Sequence, residues 1–415
     1  MVALPSKFWV RIVGIAFLMA ATGLFSLGCG SKANLKPAHD QGTQSLTTSG
    51  ASAHNTLSQW IDRSQNSDTD SAMPAAAEDC AMIYDPLEHR VVLFGGKNDE
   101  DVNLSEVWAL DLVTHVWQKI AVEGESPPPS EDHSVIYDPL SHRMIVYGGE
   151  NGPTTNSLWS FDLKSHNWRD MTDSTVQRRE DHTANFDSRG KRMLVFGGRD
   201  RDRINLYELW AMDLDPSSAI FESWQNLTVE ENHTPGRYDH VAVYDSLKDR
   251  LVIYGGYDKE NKECFGDTWA FYFSPSSHAV GKWKQIKTKK SHPPKRRRAA
   301  AVYDAARNWF IVCGGFGEEG YLNDAWAFDL TYDAWLNLTP GPPPRIDHQA
   351  IYDPRSQRMI IYGGDARLSE KFHDVWELAI YPYPKLDQML KVAGAKLKKL
   401  EQQRVDEAQD ESETN

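Results

Sequence analysis

The chain predicts an all-β fold, a β-propeller of six four-stranded blades, and three observations carry that reading. Six β-rich runs end in paired glycines: VVLFGG, MIVYGG, MLVFGG, LVIYGG, FIVCGG and MIIYGG, with first glycines Gly95, Gly148, Gly197, Gly255, Gly314 and Gly363. Each pair is followed by a tryptophan in a strand-like context, at Trp108, Trp159, Trp210, Trp269, Trp326 and Trp376. Five units add a second one, at Trp117, Trp168, Trp224, Trp283 and Trp335. The first glycines lie 53, 49, 58, 59 and 49 residues apart, the spacing of one supersecondary unit repeated.

In chain order, each unit reads as strand a, an Asp turn, strand b ending at Gly-Gly, strand c around the first Trp and strand d around the second. The turn is written IYDPLEHR or IYDPLSHR in the first two units. Pro presets the turn dihedral there and Asp bonds its own backbone. An Arg recurs five residues after the turn Asp, as Asp85/Arg90, Asp138/Arg143, Asp187/Arg192, Asp245/Arg250 and Asp353/Arg358, whereas Asp304 faces Trp309. The glycine pair permits positive φ and close approach of neighbouring backbones. One such sheet has open edges and a bare face, so the copies must stack radially and close into a ring. The sixth unit, ending VWELAIYPYP, lacks a second Trp. LSQWIDRS, with Trp60, precedes the first strand a as Trp117 precedes the second, so residues 57–62 are expected to supply the missing strand d.

Gly-Gly followed by Trp about a dozen residues on resembles the kelch family, in six in-register copies covering about three quarters of the chain. The resemblance implies a propeller over residues 56–384, closed by N-terminal chain, with strand a innermost. It extends to galactose oxidase and the sialic-acid mutarotases, which share the propeller.

Composition and termini set the context. Asp+Glu 59 against Lys+Arg 45 gives a formal charge of −14, which argues against a nucleic-acid binder. Residues 1–29 carry Lys7 and Arg11 before an uncharged stretch from Ile12 to Gly28, shorter than the roughly 20 residues a spanning helix needs. They read as a signal peptide. Gly28-Cys29-Gly30-Ser31 resembles a bacterial lipoprotein signal with Cys29 acylated, although Ser26 stands where such signals usually have Leu. Ordinary secretion and an uncleaved anchor are the alternatives. The expected location is the cell envelope, lipid-anchored, or outside the cell. Residues 30–55 are small and polar and read as a flexible tether. Cys80, Cys264 and Cys313 form no CxxC pair, so neither zinc nor a disulfide set is indicated. Beyond the propeller, Leu386, Leu390, Ala393, Leu397 and Leu400 form a short heptad seam, predicting a helical tail over 385–405. Two heptads are marginal alone, so the seam should pack on the propeller or a partner. Residues 406–415 are acidic and expected to be disordered.

Alternating strand direction puts the d–a and b–c connections on one face and the a–b and c–d turns on the other. Residues entering strand a should ring the channel mouth on the first face: Asp79, Asp132, Asp181, Asp239, Arg298 and Asp347. The next position reads Cys80, His133, His182, His240, Ala299 and His348; the four histidines have the composition of metal ligands, but the resemblance implies a packing role at this repeat position. Residues just after Gly-Gly share the face: Lys97, Glu150, Arg199, Tyr257, Phe316 and Asp365. Clustered carboxylates focus negative potential, so the Asp ring is either a site for a cation or a cationic ligand, or a repeated backbone bond at the start of strand a. No metal and no cofactor is assigned. Gly315-Phe316-Gly317-Glu318-Glu319-Gly320 spells GxGxxG, but a strand follows where a dinucleotide site needs a helix. The loop from Lys282 to Arg298 is strongly basic and is either solvated or a contact for an anionic partner, lipid headgroups or a polyanionic glycan. The leading expectation is a non-catalytic module binding a protein or glycan through the loop-rich face. The alternatives are a carbohydrate-active enzyme of the galactose oxidase or mutarotase type, and a structural protein of the envelope.

Overall fold

A computed structural model describes residues 58–64, 72–151, 155–231, 233–274, 280–288, 292–366 and 370–381. The signal peptide 1–29 with Cys29, the tether 30–55, the tail helix 385–405 and the acidic end 406–415 lie outside them. The regular structure of the described residues is strand, arranged as six four-stranded antiparallel sheets with three small two-stranded ribbons. The first blade runs Ala81–Asp85, Arg90–Phe94, Val107–Asp111 and Trp117–Lys119. The next four repeat that order, and the innermost strands pack on one another all the way round, the sixth against the first.

Alternation along the strands builds the core between the blades. In the third blade Met193 and Val195 pack against the second, while Leu194 and Phe196 pack against the fourth. Six such clusters fill the six seams. At five of the six seams the strand d tryptophan reaches the aromatic residue before Gly-Gly in the preceding blade; at the seam between blades five and six that position is Cys313. Trp168 lies 5.0 Å from Phe94, Trp224 5.4 Å from Tyr147 and Trp283 4.7 Å from Phe196.

The glycine pairs are required by that packing. Gly148 has φ 73°, and a Cβ there would lie 2.5 Å from Arg179 O and 2.7 Å from His182 Cε1 of the next blade. No side chain fits that space.

Closure follows the sequence reading. Ser58–Asp62 pairs with Val375–Ile380 as the fourth strand of blade six, and Trp60 joins the seam between blades five and six. Arg63 reaches Glu377 at 2.9 Å. Two turn pairings depart from the repeat. Arg358 binds Glu377 in place of Asp353, and in the fifth blade Arg307 takes over the pair with Asp304 at 2.6 Å. The GxGxxG segment is a ribbon, Phe316–Gly317 with Gly320–Tyr321, leading into strand Ala325–Asp329.

Candidate functional site at the channel mouth

The six residues entering strand a share a left-handed backbone, with φ of 50° at Asp79, 56° at Asp132, 54° at Asp181, 57° at Asp239, 56° at Arg298 and 54° at Asp347. Asp tolerates this region better than most side chains. In five of the six the N–H donates to the carbonyl of the adjacent blade. Asp79 donates to Asp347 at 3.0 Å, Asp347 to Arg298 at 3.2 Å, Arg298 to Asp239 at 3.0 Å, and Asp239 to Asp181 and Asp181 to Asp132 at 3.1 Å each. An open hoop of five backbone bonds, running from Asp132 round to Asp79, thus links the six blades at one end of the channel. The repeated bond expected at the start of strand a is therefore made by the backbone, between blades.

The carboxyls crowd within this hoop. Burial, reinforced by neighbouring acids, pushes Asp132, Asp239 and Asp347 up to about 7 and Asp181 to about 8, and holds Asp79 well above the usual carboxylate range. Arg298 stands where a sixth carboxylate would, with Nη1 2.8 Å from Asp347 and Nε 3.4 Å from Asp239. Arg199 supports the opposite arc, 2.8 Å from Asp181 and 2.6 Å from Glu180. Two trios of carboxylates, Glu78/Asp79/Asp347 and Asp79/Glu131/Asp132, bring ligand oxygens within 4.8 Å of one another, a donor set suited to a hard cation.

The residues after Gly-Gly form an outer rim, each bridged to the residue just ahead of the hoop. Glu78 pairs with Lys97, Glu131 with Glu150, Glu180 with Arg199, Tyr238 with Tyr257, Arg297 with Phe316 and Ile346 with Asp365. All twelve candidate residues therefore share one face. The rim is unevenly composed. Over blades three to five the Arg199 guanidinium lies 4.8 Å above Tyr238, and Arg297 lies 4.4 Å above Tyr257 and 5.5 Å from Phe316. Tyr321 adds an edge contact to Phe316 at 5.5 Å. Over blades six, one and two the rim is acidic, with Lys97 on Glu131 at 2.7 Å and Lys371 on Glu78 at 3.1 Å. Beneath the mouth the channel holds a cavity of about 560 Å³ lined by the innermost strands.

The histidines are packing residues. His182 Nε2 meets Ser134 Oγ at 2.6 Å and His240 Nε2 meets Thr183 Oγ1 at 2.9 Å, both across blade seams. Cys80 is buried, and burial pushes its thiol up to about 12.

Sequence reading missed one set of groups, the buried arginines two residues before the ring position. Arg237, Arg296 and Arg345 each donate Nη1 to the carbonyl of a first glycine, at 2.9, 2.9 and 3.0 Å, and to Asp267, Asp324 and Asp374. Those aspartates also accept from Trp269, Trp326 and Trp376. The recurring Arg-x-Asp-His, in REDH, RYDH and RIDH, was the available signal. It also revises the basic loop. Arg296 is spent on Asp324, Arg298 on Asp347 and Lys295 on Glu263, leaving Lys282, Lys284 and Lys287 exposed among its described residues.

A radial ring of six such sheets with a loop-lined mouth defines the kelch-type β-propeller class. The KLHDC2/KLHL20/DRC7 Kelch-repeats domain matches residues 57–177 and 139–340, and the chain belongs to that family. Tip elongation aberrant protein 1 of Schizosaccharomyces pombe is 25% identical over 335 residues, 77% of this chain and 28% of that protein. Kelch domain-containing protein 10 of Xenopus tropicalis is 23% identical over 295 residues, 66% of each chain. Kelch domain-containing protein 3 of Rattus norvegicus is 28% identical over 272 residues, 62% of this chain and 66% of that one.

Proposed function

We propose that this protein is a non-catalytic recognition module that binds a protein ligand on its mouth face. The observation that carries the reading is the rim over blades three to five. There Tyr257 and Phe316 lie under the Arg297 guanidinium, Tyr321 packs edge-on to Phe316, and all three are half-buried beside a deep concave channel. Aromatic and arginine side chains that are already held in place lose little entropy on binding, which is why such groups dominate the energetics of protein interfaces.

The test compares proteins captured by the full chain with those captured by a Tyr257→Ala/Phe316→Ala variant of unchanged melting temperature. A specific partner should be lost from the variant and retained by a control altered on the opposite face, Lys164→Ala in an exposed c–d turn. Retention by the rim variant would overturn the assignment. A glycan array run beside it reads the other ligand class, and glycan binding without a protein partner would replace a protein ligand by a sugar. Export, acylation of Cys29 and an envelope location are proposed separately, on the Lys7 to Cys29 pattern alone. The mass of the mature N-terminus tests them, and a chain still beginning at Met1 would overturn them.

A further inference from the structure

Beneath the carboxyls of the mouth, the wall of the central channel is uncharged. The cavity of about 560 Å³ is enclosed by the innermost strands, and its lining among the described residues holds no Lys, Arg, Asp or Glu. Burial lowers His133 to about 4 and His240 and His348 to about 3 and holds His182 well below its ordinary value, so the histidines of the wall are neutral too. Most of the wall's hydroxyls are already engaged. Ser134 and Thr183 meet His182 and His240 at 2.6 and 2.9 Å. Toward the turn face, Tyr137 meets His142, Tyr244 meets Asp249, Tyr303 meets Asn308 and Tyr352 meets Asp304, at 3.1, 2.6, 2.9 and 2.7 Å.

Two carboxamides are different. Asn185 and Gln349 line the cavity, are half-buried, and their side chains make no hydrogen bond to another described residue. Each breaks a repeat position. Where blade three has Asn185, the other blades have Ile83, Ile136, Val243, Val302 and Ile351. The counterparts of Gln349 are Ala81, Ser134, Thr183, Val241 and Ala300. Blades three and six stand opposite each other in a ring of six, so the two amides come from opposite walls, with Asn185 two strand residues, about 7 Å, deeper than Gln349.

We propose that the channel is a binding site for a compact, uncharged molecule with adjacent in-plane donors and acceptors, such as a cyclic amide or a nucleobase, held between Asn185 and Gln349. A carboxamide presents one acceptor and two donors in a plane, which pairs with that kind of edge. An ion would leave water for a wall with nothing to pair its charge, so the site selects against it. The volume lies in the range of small-molecule sites, and mostly apolar walls with a few placed polar groups are their usual construction.

The full-length chain titrated with adenine, uracil, nicotinamide and cyclo(Gly-Gly), by calorimetry and by melting temperature, tests the assignment. At least one of the four should bind and raise the melting temperature. Asn185→Val and Gln349→Ala restore residues that other blades carry, and each should weaken that binding about tenfold, the loss of roughly one hydrogen bond. Tyr257→Ala/Phe316→Ala, altered at the rim, should bind the same compound as before. Binding of none of the four, binding unchanged in either channel variant, or binding abolished by the rim variant would overturn the proposal.

Discussion

Arg298 holds a left-handed backbone that suits Asp or Asn better than a long side chain, at a cost of about 1 kcal/mol. What it gains is electrostatic, since its guanidinium touches Asp347 and Asp239 at once. Removing one partner from a buried charged group costs about 3–5 kcal/mol, several times the backbone penalty. Arg298→Asp should therefore lower stability by a few kcal/mol in chemical denaturation even though it restores the repeat residue; a neutral or stabilising result would show that the ring needs no cation. His133 presents the converse case. Its counterparts His182 and His240 bond a hydroxyl of the preceding blade, but the matching position there is Ala81, so His133 has no hydroxyl to meet and faces the backbone of Phe94 and Glu131. Ala81→Ser should supply the missing bond and raise stability by about 1 kcal/mol. An unchanged or lower melting temperature would count against a packing role for this histidine position.

The closing strand is the element on which the ring depends. It was legible because a repeat makes an omission visible: the sixth unit lacked its second Trp, and Trp60 stood where the missing one belonged. The polar clamp was not legible, because its members lie far apart in sequence. Glu377 collects Arg63 at 2.9 Å from the closing strand, His115 at 2.8 Å from blade one, and Arg358. Burial alone would raise its pKa, but the hydrogen bonds from His115, Arg63 and Arg358 bring it down to about 2. A depressed carboxyl stabilises the fold above its ordinary value near 4.5, and that contribution is lost as pH falls toward 2. Glu377→Gln should accordingly cost on the order of 2 kcal/mol at pH 7, with the gap to the unaltered chain narrowing at pH 3. A gap independent of pH would mean the clamp acts by shape alone.

Across the whole molecule, the architecture was readable because stacking six units writes the same constraints six times, in glycine pairs, tryptophans and turn aspartates. The mouth was readable as positions, since the repeat register placed all twelve rim residues on one face. The state of those residues was not, because it arises where blades meet: Arg298 bridges Asp239 of blade four and Asp347 of blade six. That collective state has a consequence for the intact ring. The carboxyls of Asp132, Asp239 and Asp347 sit at about 7 and that of Asp181 at about 8, raised first by burial and then by one another. A raised carboxyl contributes stability that is complete below its ordinary value near 3.8 and is lost as pH climbs through its folded value. The buried histidines work in the other direction. Burial lowers His133 to about 4 and His240 and His348 to about 3, so folding favours their neutral form and their contribution is complete once pH exceeds the ordinary value near 6.5. Above pH 7 the ring therefore governs the slope, and the melting temperature should fall from pH 7 to pH 9. Asp132→Asn/Asp181→Asn/Asp239→Asn keeps side chains that tolerate the left-handed backbone while removing the titration, so it should flatten that fall. Melting curves at pH 7, 8 and 9 on both chains decide it: parallel declines would place the pH sensitivity elsewhere, and a flat profile in the unaltered chain would show the carboxyls of the mouth to be ionised throughout.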